Sequence, residues 1–134
     1  MQAPSAVNQQ PWEFYVVTNR EVIENLSRVS QYSHCVADAP VVIVPVYKVD
    51  GIPVPSMAPL DMAIAQENIW LQTDALGLGG VWIGIAPLRS HGVRTQSVKL
   101  TGRPTSILTL PLGYPAETRK QQNRFFEERI HYVK

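Results

Sequence analysis

Apolar and polar positions fall into blocks that divide most of the chain into short elements. The apolar run from Trp12 to Val17 stands behind a polar segment and predicts a strand. Thr18 and Glu21 follow at capping-box spacing, so a helix is expected to open at Thr18 and bury Val22, Ile23, Leu26 and Val29. Residues 31–38 connect it to a second strand, which starts at Val41 within the apolar run APVVIVPVY of residues 39–47. Residues 48–59, rich in Gly and Pro, read as a loop. A long helix is predicted from Leu60, with Ile64, Asn68, Leu71 and Ala75 on one face and Gln66, Gln72 and Thr73 away from it. Gly77 should end that helix in the left-handed conformation, before a short buried strand of Val81, Trp82 and Ile83 that stops at Gly84. Residues 89–106 contain two glycines, several β-branched residues and no sustained apolar period, so they read as loop. A last strand is expected over residues 107–112, followed by a polar, extended tail. Helices and strands mix without strict βαβ alternation, which makes the class α+β, a central β-sheet flanked by helices.

Composition narrows the function classes more than it selects one. A chain of 134 residues makes one domain, and at about this size it buries roughly two thirds of its unfolded surface. Charged residues are 17% and the formal net charge is +1, which gives no electrostatic argument for nucleic acid or a membrane surface. No apolar run approaches the roughly 20 residues of a membrane helix, and the N-terminus lacks the basic and apolar regions of a signal peptide. With its one cysteine, Cys35, the chain can form no intrachain disulfide. A reducing, cytoplasmic setting is expected.

The most informative stretch precedes the first strand. In APSAVNQQPWEF, the polar residues Ser5, Asn8 and Gln10 crowd a loop that runs directly into Pro11 and Trp12. Such crowding at a loop-to-strand junction suggests a ligand, although Pro, Ser and Asn are also ordinary turn formers. Two other segments carry equally particular patterns. One is helix-GLG-strand-Gly over residues 60–84; the other is the ending LPLGYPAETRKQQNRFFEERIHYVK. The GLGG stretch lacks the order of a dinucleotide-binding turn, because a helix precedes it, a strand follows it, and Trp82 stands at the sixth position.

Taken together, the three segments resemble the nitroreductase family of FMN-dependent NAD(P)H oxidoreductases. The match at the first is P-S-x-x-N-x-Q-P-W, carried by Pro4, Ser5, Asn8, Gln10, Pro11 and Trp12. The resemblance implies that this loop lies along the flavin, with Ser5, Asn8 and Gln10 hydrogen-bonding its isoalloxazine or ribityl region. It implies that backbone at Gly84 and Ile85 faces the hydride-accepting edge, and that the tail crosses a homodimer. Arg124 would then meet the FMN phosphate, and Arg129, Ile130, His131 and Tyr132 would form a final strand on the partner. Gln122 stands where a lysine is common in the family. Implied with these are FMN as cofactor, NAD(P)H as donor, and a nitroaromatic, quinone or related acceptor reduced by a ping-pong cycle. Acceptor choice would rest with residues 48–59.

Met1 falls inside what should already be the flavin loop, where the family begins with a helix and a basic segment that grips the phosphate. The chain is therefore expected to be a single, N-terminally incomplete domain that holds flavin weakly. The alternative is a non-catalytic dimeric remnant. Residues 89–106 also depart from the amphipathic helix usual there.

Other candidates have simpler explanations. Asp61 and Glu67 are expected as exposed or capping acids near a helix start, and Cys35 as a structural thiol, since its neighbour His34 adjoins it only in sequence. His91 and His131 have no ligand-spaced partners. Trp70 is expected in the core or at a dimer contact. Flavin carries the hydride chemistry, so no catalytic side chain is required.

Overall fold

Antiparallel pairing builds the sheet. In the computed structural model, which describes residues 2–84, 108–118, 120 and 122–133, strand β1 (Trp12–Val17) pairs along its whole length with β2 (Val41–Tyr47), from Trp12 opposite Tyr47 to Val17 opposite Val42. Strand β5 (Leu108–Gly113) lies on the other side of β2, Leu110 facing Ile43. Two short pieces, β3 (Gly79–Gly80) and β4 (Ile83–Gly84), both pair with β5. Among the described residues every pairing is antiparallel, as an α+β class requires.

Strand alternation sorts the core into two layers. Val17, Val42, Val44, Val46 and Ile83 pack with Ile23, Leu26 and Val29 on the face covered by helix α1 (Arg20–Leu26). Trp12 and Tyr47 point the other way and pack with Ala58, Met62 and Ala65 of α2 (Ala58–Ala75) and with Ala3. Gly77 closes α2 at φ +70° as expected.

Three expectations need correction. Helix α1 is capped by Asn19, whose side chain accepts from the Val22 amide at 3.1 Å, and not by Thr18. Asn19 carries the same capping chemistry one residue later, so the Thr18–Glu21 spacing was coincidental. The strand expected at Val81–Ile83 is split, with Val81 and Trp82 between β3 and β4.

The third correction inverts α2. Its buried face is Ala58, Asp61, Met62, Ala65, Gln66 and Thr73, whereas Ile64, Leu71 (61% exposed) and Leu60 lie outside. The helix carries apolar residues on both sides, so periodicity alone could not choose between them. The small side chains of Ala58 and Ala65 allow close approach to the sheet. A stripe of large side chains is thereby left uncovered along the outer face.

Candidate functional site

Residues 4–10 form a loop whose backbone is unusual. A turn at Ala6–Asn8 closes with Asn8 donating to the Ser5 carbonyl at 3.0 Å and Gln9 to the Ala6 carbonyl at 2.9 Å. Val7 (φ +44°), Asn8 (φ +57°) and Gln10 (φ +44°) are all left-handed. Asn tolerates that region; a β-branched valine does not, and such backbone persists only where surrounding contacts over-determine it.

Those contacts come mainly from two residues that the family pattern leaves unspecified or that were expected to be incidental. Asp61, in the first turn of α2, is 3% exposed. Its Oδ1 accepts from the Ala6 amide at 2.9 Å and its Oδ2 from Gln9 Nε2 at 2.7 Å. Gln9 also grips Val54 in both directions: Nε2 donates to the Val54 carbonyl at 3.0 Å, and Oε1 accepts from the Val54 amide at 2.9 Å. Asp61 is therefore neither exposed nor a helix cap, as was expected. An acid followed by the small and apolar positions of a buried turn could have flagged it; Gln9 offered no signal beyond its neighbours.

Within this frame the motif residues divide. Ser5 is half-buried and turned inward, its Oγ accepting from the Gln10 amide at 3.0 Å. Pro11 and Trp12 are buried, and Trp12 anchors the loop in the second core layer. Pro4, Asn8 and Gln10 are exposed. The amide side chains of Asn8 and Gln10 make no hydrogen bond among the described residues, and each offers both a donor and an acceptor. That is the chemistry the edge of an isoalloxazine ring requires, so the loop fits a flavin.

The remaining sequence candidates lie apart from the loop. Gly84 sits in β4 opposite Leu108, exposed, and a Cβ built on it would meet nothing within 4 Å among the described residues. Ile85 lies outside the described residues, as do His91, Arg119 and residues 89–106. Arg124 is exposed and donates through Nε (2.9 Å) and Nη2 (2.5 Å) to Gln122 Oε1. No hydrogen bond among the described residues joins it to the loop. Residues 129–132 do not form a strand here: Arg129 closes a turn over Glu127–Arg129 and stacks on Phe126 at 4.3 Å.

Trp70 and Trp82 meet with ring centroids 6.3 Å apart, and Trp70 Nε1 donates to the Gly80 carbonyl at 3.1 Å. They brace β3 and β4 against α2, a structural use of Trp70. Cys35 is exposed, so the expected structural thiol is not a core group. No helix among the described residues is long and apolar enough to cross a membrane.

Comparison with known proteins converges on one group. No protein-family model matches the chain. A provisionally named NADH dehydrogenase/NAD(P)H nitroreductase of Methanothermobacter thermautotrophicus is 40% identical over 139 residues, covering 100% of this chain and 71% of the relative. Among solved structures, a provisionally named NADH oxidase from Clostridium acetobutylicum superposes with TM-score 0.91 at 38% identity, over 100% of this chain and 82% of that one. An FMN-dependent nitroreductase from Clostridium difficile gives TM-score 0.82 at 25% identity, over 98% and 80%.

Proposed function

The chain belongs to the nitroreductase family of FMN-dependent NAD(P)H oxidoreductases, and on that premise we propose that it transfers reducing equivalents from NAD(P)H to nitroaromatic, quinone or related electron-poor acceptors. The observation that carries this reading is the loop itself. Three left-handed residues are held by a buried acid and Gln9, while the exposed Asn8 and Gln10 amides have no hydrogen-bond partner among the described residues. Backbone strain maintained by long-range hydrogen bonds, beside exposed amides able to donate and accept, supports a ligand seat.

FMN, when bound, supplies the hydride-accepting and hydride-donating centre. The chain's own part is binding and orientation. Pro4 would line the ring, Asn8 and Gln10 would hydrogen-bond its edge or the ribityl chain, and Ser5 would keep the Gln10 backbone in place. Backbone at Gly84 and Ile85 would border the reactive edge, and Arg124 would exchange Gln122 for the phosphate. Donor and acceptor would occupy one site in turn, which gives ping-pong kinetics.

A homodimer completes the arrangement. Leu60, Ile64 and Leu71 on α2 and Phe125, Ile130, Tyr132 and Val133 on the tail are exposed in the single chain. A second copy would cover them.

Steady-state rates measured against both substrates test the activity. Parallel double-reciprocal lines with an NAD(P)H and a quinone or nitroaromatic acceptor are expected. Intersecting lines would exclude the ping-pong order, and no turnover in FMN-saturated protein would exclude the activity.

A further inference from the structure

We propose that Gln9 and Asp61 are positioning residues of the cofactor site, which hold the left-handed loop in its binding shape and tie it to the segment around Val54. The inference rests on the flavin reading above. Neither residue would touch the cofactor: Asp61 is buried, and both N–H groups and the oxygen of the Gln9 amide are already engaged inside the chain.

The chemistry of the pair is specific. Asp61 faces two donors, the Ala6 amide and Gln9 Nε2, so the position requires a group that only accepts. Gln9 must donate twice and accept once, with Val54 fixing which end of its amide is which. An asparagine at position 61 has nearly the same shape as aspartate, but its NH2 would face one of the two donors in either orientation. Without the clasp, the loop keeps only its local bonds, Asn8 to the Ser5 carbonyl, Gln9 to the Ala6 carbonyl and Gln10 to Ser5 Oγ, and it would leave its left-handed form. Flavin would then bind only the fraction of molecules in which the loop is correctly folded, and the apparent affinity would fall by that fraction. The grip on Val54 extends the effect to residues 48–55, so cofactor seat and neighbouring loop move together.

The test uses the full chain and its Gln9→Ala, Asp61→Asn, Gln9→Glu and Asp61→Asn/Gln9→Glu variants. Equilibrium dialysis measures FMN affinity, and circular dichroism measures melting. Gln9→Ala and Asp61→Asn should each weaken FMN on the order of tenfold, the effect of losing a charge-assisted hydrogen bond. Gln9→Glu should weaken it further by placing two carboxylates together. The double variant should recover part of that loss, because the new amide at position 61 can donate to the new carboxylate at position 9. Should Asp61→Asn fail to fold, Gln9→Ala, at a half-buried surface position, still decides the matter.

Lowered melting with unchanged FMN affinity would show a purely structural role and overturn the proposal, as would a double variant no better than Gln9→Glu. An unmodified, folded chain that binds no FMN would defeat the flavin reading itself. That outcome is visible before any variant is made, and the inference falls with it.

Discussion

The N-terminal loop and the C-terminal tail are both implicated in one site, yet they are specified by different means. The loop is fixed from far away in the sequence: Ala6 reaches Asp61 across 55 positions and Gln9 reaches Val54 across 45. The hydrogen bonds described from Gln122 to Ile130 span two or three positions. Tyr132 and Val133 are 85% and 98% exposed. One chain is enough to shape the loop, whereas the tail meets no comparable long-range hydrogen bond among the described residues from Gln122 to Ile130. On the proposed reading, the cofactor seat is pre-organised within the subunit, and the phosphate contact and dimer would be completed between subunits.

Deleting residues 125–134 should break this division most severely. Light scattering should then report monomer or aggregate, because the apolar side chains proposed to meet the partner would be gone while the stripe on α2 remained open. A soluble dimer after the deletion would show that the tail is not the joining element.

Arg124→Ala sharpens the comparison within the site. Loss of a charge-assisted bond to phosphate should weaken FMN on the order of tenfold, but should leave riboflavin, which has no phosphate, unaffected. Equal losses for both ligands would place Arg124 elsewhere.

Val7→Gly probes the strain. The left-handed region costs an ordinary residue about 1–2 kcal/mol, and glycine returns roughly half of that relief as added freedom of the unfolded chain. A net gain of about 0.5–1 kcal/mol, a rise of a few degrees in melting temperature, is expected by calorimetry. A fall would mean that the valine side chain contributes more than its backbone costs.

The smallest effect belongs to Lys48, which lies beside the loop's first strand and pairs with Glu13 on the surface. Its hydrogen bond and charge attraction with Glu13 raise its pKa above the usual 10.5. A raised pKa in the folded state contributes stability that is present below 10.5 and is lost as pH climbs through the folded value. The alkaline limb of a melting-temperature profile should therefore fall less steeply in Lys48→Met. Because the pair is exposed, the difference should be slight and should shrink in salt.

How much of this was legible follows from the range of the interactions. Trp12–Val17 and the strand at Val41 were readable because their apolar runs are short and bounded by loop residues. Gly77 was readable because a left-handed helix stop favours glycine. The face of α2 was not, since Ile64 and Leu71 offer as good an apolar stripe as Met62 and Ala65, and only the small alanines facing the sheet decide between them. The motif singled out Ser5, Asn8 and Gln10 as flavin ligands; the structure leaves Asn8 and Gln10 exposed and engages Ser5 Oγ with the Gln10 amide. The motif could not reveal that Gln9, at an unspecified position, and Asp61, distant in sequence, hold the loop in place, because hydrogen bonds across about fifty positions leave no local pattern. The tail's polar composition was legible, but the surface it would meet in the proposed dimer belongs to another copy.

The most direct test of the central claim is FMN binding to the unmodified chain beside Asn8→Gly, followed by dialysis or fluorescence titration. Glycine keeps the left-handed backbone and removes only the side chain, so the fold and melting temperature should be nearly preserved. If the loop is the flavin seat, the unmodified chain binds FMN saturably at one per subunit, and Asn8→Gly weakens it on the order of tenfold, the loss of about 1–3 kcal/mol when a buried partner goes unsatisfied. Unchanged affinity in a normally folded Asn8→Gly variant would contradict the assignment.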